Sequence, residues 1–159
     1  MAKAKKTSRK STPKTTSAVD ALQQVLADSY ALIGQTNLCH WNVEGPSFFA
    51  RHAAFEVQYT ELFTAVDAIA ERTRALGAYS PGGLANLAKL SGMKELKENA
   101  KADDMVKHLA TLHHKLIKDA ATARDLAGDS NDKETEDMMI ARIEVHQKTV
   151  WMLESYLKG

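Results

Sequence analysis

Apolar side chains recur at three- and four-residue steps along most of the chain, and no other feature limits its fold as strongly. This spacing places one apolar stripe on each of several α-helices. It predicts a first helix ending before residue 45, a second over about 47–76, a third from 103 or 104 to about 128, and a fourth ending at 159. A short helix over 84–90 falls within the long connection between the second and third helices. No segment alternates as a strand does, so the fold class is all-α, a four-helix bundle.

Turn and capping residues mark the helix ends. Gly45-Pro46 separates the first helix from the second, and Gly77 ends the second. Asp20 is expected to cap the first helix or to serve as its first-turn acid, and Ser47 to cap the second. The apolar residues predicted to face inward from the second helix are Phe48, Phe55, Tyr59, Leu62, Phe63, Val66 and Ile69.

Size and charge divide the chain into a tail and a body. The 159 residues suit one folded domain, predicted over 18–159 and preceded by a disordered tail over 1–17. The first fourteen residues carry a charge of +6, leaving 15 basic against 20 acidic residues, a net charge of −5, for the remainder. No apolar run is long enough to cross a membrane, and the N-terminus does not resemble a secretory signal. A single cysteine allows no internal disulfide, so a cytoplasmic setting and no membrane partner are expected.

The tail suggests a nucleic-acid partner. Its positive charges, without aromatic residues among them, suit contact with phosphates and not the reading of bases. We therefore expect non-specific binding of double-stranded DNA and association with the nucleoid, against the alternative of a tail that only aids solubility. The residues expected to contact DNA are Lys3, Lys5, Lys6, Arg9, Lys10 and Lys14.

Four polar residues of the second helix form the strongest functional signal. His52 and Glu56 are four residues apart, as are Asp67 and Glu71. Eleven residues separate Glu56 from Asp67, almost three whole turns, so all four lie on roughly one stripe. Imidazole and carboxylate groups are suitable ligands for iron. The alternative is an ordinary solvated helix face, which such i, i+4 pairs often decorate.

One helix cannot bring this stripe to a single ion. His52 and Asp67 lie about 22 Å apart along the axis. The residue numbers 52 and 71, and likewise 56 and 67, have the same sum. An antiparallel copy of the helix, related by a two-fold axis near residues 61 and 62, therefore places His52 beside Glu71 of its partner and Glu56 beside Asp67. The arrangement predicts two identical metal sites per dimer, with His40 as an additional candidate ligand.

A family resemblance supports the metal interpretation. The segment His40–Phe49, with its histidine-tryptophan-asparagine start, resembles the motif of Dps proteins, and the spacing of the second-helix stripe resembles their signature. The similarity covers roughly residues 18–158. Glu44 stands where a basic residue is common, and Glu56 where many relatives carry Asp, which keeps the ligand type and lengthens the side chain.

The resemblance implies both an architecture and an activity. It implies a ferritin-like bundle assembled from two-fold dimers into a hollow homododecamer, with ferroxidase centres shared between subunits. His40, His52 and Glu56 would come from one subunit and Asp67 and Glu71 from its mate. Fe²⁺ would be oxidised, preferably by hydrogen peroxide, without an organic cofactor, and ferric mineral stored in the cage to protect DNA. The alternatives are a nucleoid-condensing DNA-binding protein with a weak or inactive ferroxidase site, and a plain helical interaction module.

Two aromatic residues adjoin the predicted site. Trp41 follows His40, and Tyr59 lies about one turn after Glu56. Each is a candidate electron donor, and simple packing is the alternative for both. Cys39 is expected to be a small buried hydrophobe.

The turn before the last helix is acidic. The resemblance implies that this region lines a three-fold pore that would attract Fe²⁺, and helix capping is the alternative. The candidate pore residues are Asp125, Asp129, Asp132 and Glu134. The remaining histidines, predicted to lie at the surface without forming a second site, are His108, His113, His114 and His146.

Overall fold

The computed structural model describes residues 16–158, and within them the chain forms five helices and no strand. The helices are α1 (Ala18–Asn42), α2 (Phe48–Ala75), α3 (Leu84–Ser91), α4 (Ala102–Asp129) and α5 (Lys133–Tyr156). The long helices are those predicted from the periodicity, and α3 is the short helix expected in the long connection. No helix in this part of the chain is long and apolar enough to span a membrane.

Local hydrogen bonds explain where α1 begins. Ser17 is the N-cap and its hydroxyl accepts a bond from the Asp20 N–H, while the Asp20 carboxylate accepts one from the Ser17 N–H. This reciprocal capping box makes Asp20 the first-turn acid and Ser17 the cap. Ser47 holds the cap position of α2, but its side chain makes no capping bond, so that part of the prediction was wrong.

The other helix boundaries follow the turn chemistry. Gly77, two residues beyond the end of α2, has a φ of +84°, which a residue without a Cβ adopts at little cost. Asp132 caps α5 by accepting a bond from the Thr135 N–H. The third long helix begins at Ala102, slightly before the aspartates predicted to open it.

The helices pack as an antiparallel bundle. Helix α1 lies between α2 and α4, and α5 packs along α4. Two hydrogen bonds between α4 and α1 show their relative direction: Lys115 pairs with Asp28, and His108 pairs with Gln35. Moving back seven residues along α4 corresponds to moving forward seven along α1, so the two helices are antiparallel. Long side chains bridge α2 and α5, where Arg142 pairs with Glu61 and Arg72 with Asp132.

The core lies at the meeting of the apolar stripes. Burying each large aliphatic or aromatic side chain there contributes about 2 kcal/mol before entropy is counted. The largest fully buried apolar residues are Leu22, Leu26, Leu32, Phe55, Leu62, Ile69, Met105, Leu109, Leu116 and Met139.

Phe63 is a correction to the predicted core. Its side chain is 57% exposed, whereas the neighbouring Leu62 is fully buried. Phe63 follows His52 by eleven residues, so the two lie within about 20° on the helical wheel. The side chain therefore belongs to the face of α2 that carries the predicted metal ligands and turns away from the core of its own chain.

Candidate metal centre

Two histidines meet where α1 ends and α2 begins. The turn over 43–47 reverses the chain and brings His40 against His52. Their rings are stacked, with centroids 3.7 Å apart and planes 19° from parallel. His40 Nδ1 lies 2.8 Å from the carbonyl oxygen of His52, and His52 Nδ1 lies 2.9 Å from the carbonyl oxygen of His40.

These bonds determine which ring nitrogen is available to a ligand. A carbonyl oxygen can only accept, so each Nδ1 carries the proton and donates it. In the neutral ring Nε2 then holds the lone pair. Metal-binding histidines are commonly oriented by such a bond from the second nitrogen to a carbonyl or carboxylate. The pair therefore presents two Nε2 atoms prepared for coordination.

Aromatic rings hold the two imidazoles in place. Tyr59 packs edge-on against His40, with ring centroids 5.2 Å apart. Phe48 stacks on His52 with centroids 5.1 Å apart and planes 27° from parallel. Phe48 and His52 are four residues apart on α2, so the helix itself sets this contact.

The predicted carboxylate ligands lie along the same helix. Glu56, Asp67 and Glu71 are all exposed. Asp67 is about 22 Å from His52 along the axis of α2, too far to share its ion within one chain. Among residues 16–158, no group of three or more histidine, cysteine, aspartate or glutamate side chains is placed to hold a metal ion. The structure thus brings His40 and His52 together but does not gather the predicted carboxylate ligands around them within one chain.

Exposed aromatic residues accompany this polar stripe. Phe63 is joined on the same face of α2 by Phe49, which is 86% exposed. Trp41, next to His40, is also exposed. Large apolar side chains grouped in this way commonly mark a surface that contacts another protein chain.

The acidic turn shows two different environments. Asp125, Asp129 and Glu134 are exposed. Asp132 is instead engaged, because its carboxylate pairs with Arg72 at 2.5 Å as well as capping α5. Partial burial opposes ionisation, but hydrogen bonds from Thr135 and Arg72 outweigh it and lower the pKa of Asp132.

Two histidines predicted at the surface lie in the core. His113 is 2% exposed and His146 is 0% exposed, while His108 is half-buried and only His114 is exposed as expected. The signal was present in the sequence, since His113 lies four residues after Leu109 and three before Leu116 on the buried stripe of α4. The prediction of a surface position for His113 and His146 was therefore wrong.

Two further predictions have different outcomes. Cys39 is completely buried, as expected, and burial raises the pKa of its thiol to about 12, so it is an unreactive core residue. The basic residues predicted to bind DNA, from Lys3 to Lys14, lie outside the described residues. The tail and its boundary at residue 17 stay predictions.

Comparison with known proteins identifies the class and then the family. Residues 19–159 match the family model described as the ferritin-like domain. An uncharacterized low temperature-induced protein of Nostoc sp. is 37% identical, over 89% of this chain and 80% of that protein. The DNA protection during starvation protein of Brevibacillus brevis is 34% identical, over 86% of this chain and 92% of that protein. The fold and these matches define a ferritin-like protein.

A solved structure narrows the class further. The crystal structure of Dps from Vibrio cholerae O1, described as a member of a broad superfamily of ferritin-like diiron-carboxylate proteins, superposes with a TM-score of 0.84. It is 30% identical and covers 88% of each chain. The chain belongs to the Dps family, as its motifs had indicated.

Proposed function

We propose that two copies of this chain pair antiparallel through α2 and oxidise Fe²⁺ at two sites, each built from both chains. The observation that carries the proposal is the reciprocal bonding of His40 and His52, which leaves both Nε2 atoms ready for a metal. Half of a nitrogen-and-carboxylate site is thus formed in each chain before a partner arrives. Glu56 of the same chain and Asp67 and Glu71 of the mate would complete it.

The exposed face of α2 supports this pairing. Under the proposed symmetry Phe63 approaches Thr60 of the mate, so two copies of Phe63 would bury each other near the two-fold axis. Each site would then combine imidazole nitrogens with carboxylate oxygens, a set that suits Fe²⁺ as a substrate and leaves positions open for an oxidant.

The proposed reaction balances with hydrogen peroxide as the oxidant. Two Fe²⁺ ions give up one electron each, and peroxide accepts both as its O–O bond breaks, which avoids a free hydroxyl radical. With two protons taken up, the products are two Fe³⁺ ions and two water molecules. Hydrolysis of Fe³⁺ then forms an insoluble ferric oxide. Trp41 and Tyr59 are proposed to supply electrons to peroxide when too little Fe²⁺ is bound to supply both.

Storage requires a closed particle. We propose that the dimers assemble into a hollow shell of twelve chains in which the ferric mineral collects. Asp125, Asp129 and Glu134 are exposed and suit an acidic pore that attracts Fe²⁺. Asp132, already engaged with Arg72, would contribute to the structure of the turn and less to the pore.

Complementation between two inactive variants tests the sharing of the site. His52→Ala and Asp67→Ala would each damage every site in a homodimer. In a mixed dimer, one site carries both substitutions and the other carries neither. Random co-assembly of co-expressed chains should therefore restore about a quarter of the sites. Initial rates of Fe²⁺ oxidation with peroxide, normalised to protein, provide the measurement.

The controls separate the possible results. In the control, the double variant His52→Ala/Asp67→Ala is co-expressed with the wild-type chain. A mixed dimer then contains no intact site, so the remaining activity comes from wild-type homodimers and not from complementation. If the co-expressed single variants show no recovery although mass spectrometry detects mixed particles, the shared site is wrong. The mass of the native particle tests the shell of twelve in the same preparation.

DNA binding is proposed as a second function of the assembled particle. The carrying observation is the +6 charge of the first fourteen residues, which each copy would display. Several tails on one particle would bind a duplex far more tightly than one tail. A gel shift should show salt-sensitive binding that is lost on deletion of residues 1–17. Equal binding by the truncated protein would refute the role of the tail. DNA binding that persists when iron oxidation is absent from the wild-type protein would favour a nucleoid-condensing function instead.

A further inference from the structure

A second polar cluster lies in the middle of the bundle, away from the proposed metal centre. Glu61 of α2, His113 of α4 and the pair Arg142 and His146 of α5 each fall near the midpoint of their helix. Both guanidinium Nη atoms of Arg142 contact the Glu61 carboxylate, with Nη2 at 3.1 Å from Oε2. Nη2 also lies 2.9 Å from His146 Nε2, and His146 Nδ1 lies 2.8 Å from His113 Nδ1.

The bonds determine the protonation of both imidazoles. Arg142 can only donate, so His146 Nε2 must accept and holds a lone pair. His146 Nδ1 therefore carries the proton and donates a hydrogen bond to His113 Nδ1. His113 in turn keeps its proton on Nε2, which is buried without a hydrogen-bond partner among the described residues. Burial, with the charge of Arg142, lowers the pKa of His113 to about 3, and burial also lowers the pKa of His146, so both rings are neutral.

A carboxylate and an imidazole lone pair thus face the same positive group. These are ligand types that a divalent transition metal prefers, and His146 is oriented by a bond from its other nitrogen, as metal-binding histidines usually are. A groove between α2 and α5, lined by Glu61, Arg142 and the small residues Ala65 and Ala68, gives access from the surface. The Glu61 side chain is 40% exposed at this opening.

We propose that the Arg142 guanidinium occupies a cation position between Glu61 and His146 and keeps divalent metal ions out of the middle of the bundle. The fixed positive charge repels an approaching ion, and its donors engage the atoms that would bind that ion. Arg142 therefore determines where the chain binds metal. This inference goes beyond the proposed intersubunit site and does not require it.

Cobalt titration of Arg142 variants tests the proposal. The background variant His52→Ala/Asp67→Ala removes ligands of the intersubunit site. Adding Arg142→Ala should create a site for about one further Co²⁺ per subunit, seen by calorimetry and by the visible absorption of the ion. Arg142→Lys, which keeps the positive charge, should bind no further Co²⁺. Adding His146→Ala to Arg142→Ala should abolish the gain.

The outcomes decide between exclusion and a purely structural role. A folded Arg142→Ala protein that binds no more Co²⁺ than its background overturns the proposal, as does a gain that survives His146→Ala. Should Arg142→Ala not fold, Arg142→Gln, which removes the charge and keeps most of the volume, is held to the same expectation. In an otherwise wild-type chain, His146→Ala should leave the number of bound Co²⁺ ions unchanged, and a decrease would show that metal already reaches His146. Each expected change in bound Co²⁺ depends on His146, which is not a ligand of the intersubunit site. The outcome of this test can therefore be distinguished from a failure of the intersubunit proposal.

Discussion

The chain contains two histidine pairs in close contact, and their surroundings give them opposite chemistry. His40 and His52 lie at the turn between α1 and α2, and each Nδ1 donates to the backbone carbonyl of the other residue. His113 and His146 lie in the core, where their Nδ1 atoms bond to each other. In the first pair both Nε2 atoms are free to coordinate. In the second, one Nε2 accepts from Arg142 and the other carries a proton.

This contrast shows that two adjacent imidazoles do not by themselves make a metal site. Backbone carbonyls accept a hydrogen bond from each ring without adding a cation, so the opposite nitrogens stay available. In the second pair, the two imidazoles share one proton in the hydrogen bond between their Nδ1 atoms. The Arg142 guanidinium then donates to the lone pair on His146 Nε2. The identity of the group at the second nitrogen therefore decides what the first can do.

The largest expected effect comes from removing one histidine of each pair. His52→Ala should lower the initial rate of Fe²⁺ oxidation about 100-fold or more, because it deletes a proposed ligand. His146→Ala should leave that rate within about twofold while lowering stability, because it opens a cavity and removes one hydrogen-bond acceptor of Arg142. Rates and urea midpoints of both variants provide the comparison. Similar losses of rate in the two variants would contradict the assigned difference.

Stability should depend more on the Arg142 bridge than on the Arg72 bridge. Arg142→Ala is expected to lower the free energy of unfolding by about 2 kcal/mol, less than a fully buried pair would lose because Glu61 is partly hydrated. Arg72→Ala, at the end of the same helix pair, should lose about 1 kcal/mol. The shift of the urea midpoint by circular dichroism measures both. Equal shifts would mean that the central cluster contributes no more than a peripheral ion pair.

The sequence predicted the helices better than the surroundings of single residues. Periodicity located α1, α2, α4 and α5, because burial of an apolar stripe is a sum over many residues. It misplaced Phe63, since the spacing of an aromatic residue near the edge of the buried stripe does not reveal that its side chain lies on the exposed face. The reciprocal bonds of His40 and His52 were not predicted, because they depend on the path of the backbone through the turn.

The core cluster was missed for a different physical reason. A histidine at a buried helical position is unfavourable unless other helices supply hydrogen bonds, and those partners lie far away in sequence. His113 and His146 are 33 residues apart, and Arg142 is 81 residues from Glu61. Single-helix patterns contain no information on which of these groups meet, so the prediction favoured the surface.

The pH dependence of stability should report the buried pair. The pKa values of His113 and His146 are lower in the folded chain than the ordinary value near 6.5. As pH falls below that value the unfolded chain gains protons that the folded chain does not, so stability is lost on acidification. Each histidine should contribute about 1 kcal/mol between pH 7.5 and 5.5. Urea unfolding at these two pH values should show a smaller loss of unfolding free energy on acidification in His113→Gln than in the wild-type protein.

A buried carboxyl acts in the opposite direction and requires a matched comparison. Burial raises the pKa of Asp28 to about 6, so its folded form gains a proton first, and stability increases as pH falls from about 6 towards the ordinary value. The difference in pH dependence between wild type and His113→Gln cancels this contribution, because Asp28 is present in both. An unchanged dependence in the variant would show that the imidazole pair does not stay neutral in the fold.

The smallest expected effect concerns the ring that stacks on His52. Phe48→Ala removes the aromatic contact but no proposed ligand, and the reciprocal carbonyl bonds stay possible. Loss of one aromatic contact corresponds to about 1 kcal/mol, so Co²⁺ affinity should fall about fivefold. Phe48→Leu fills part of the volume without a ring face, so its Co²⁺ affinity should lie between those of Phe48→Ala and the wild-type protein. Phe48→Tyr should keep wild-type affinity. Calorimetric titration distinguishes these levels. If Phe48→Leu matched Phe48→Tyr, packing alone would orient His52, and the stacked ring would have no separate role.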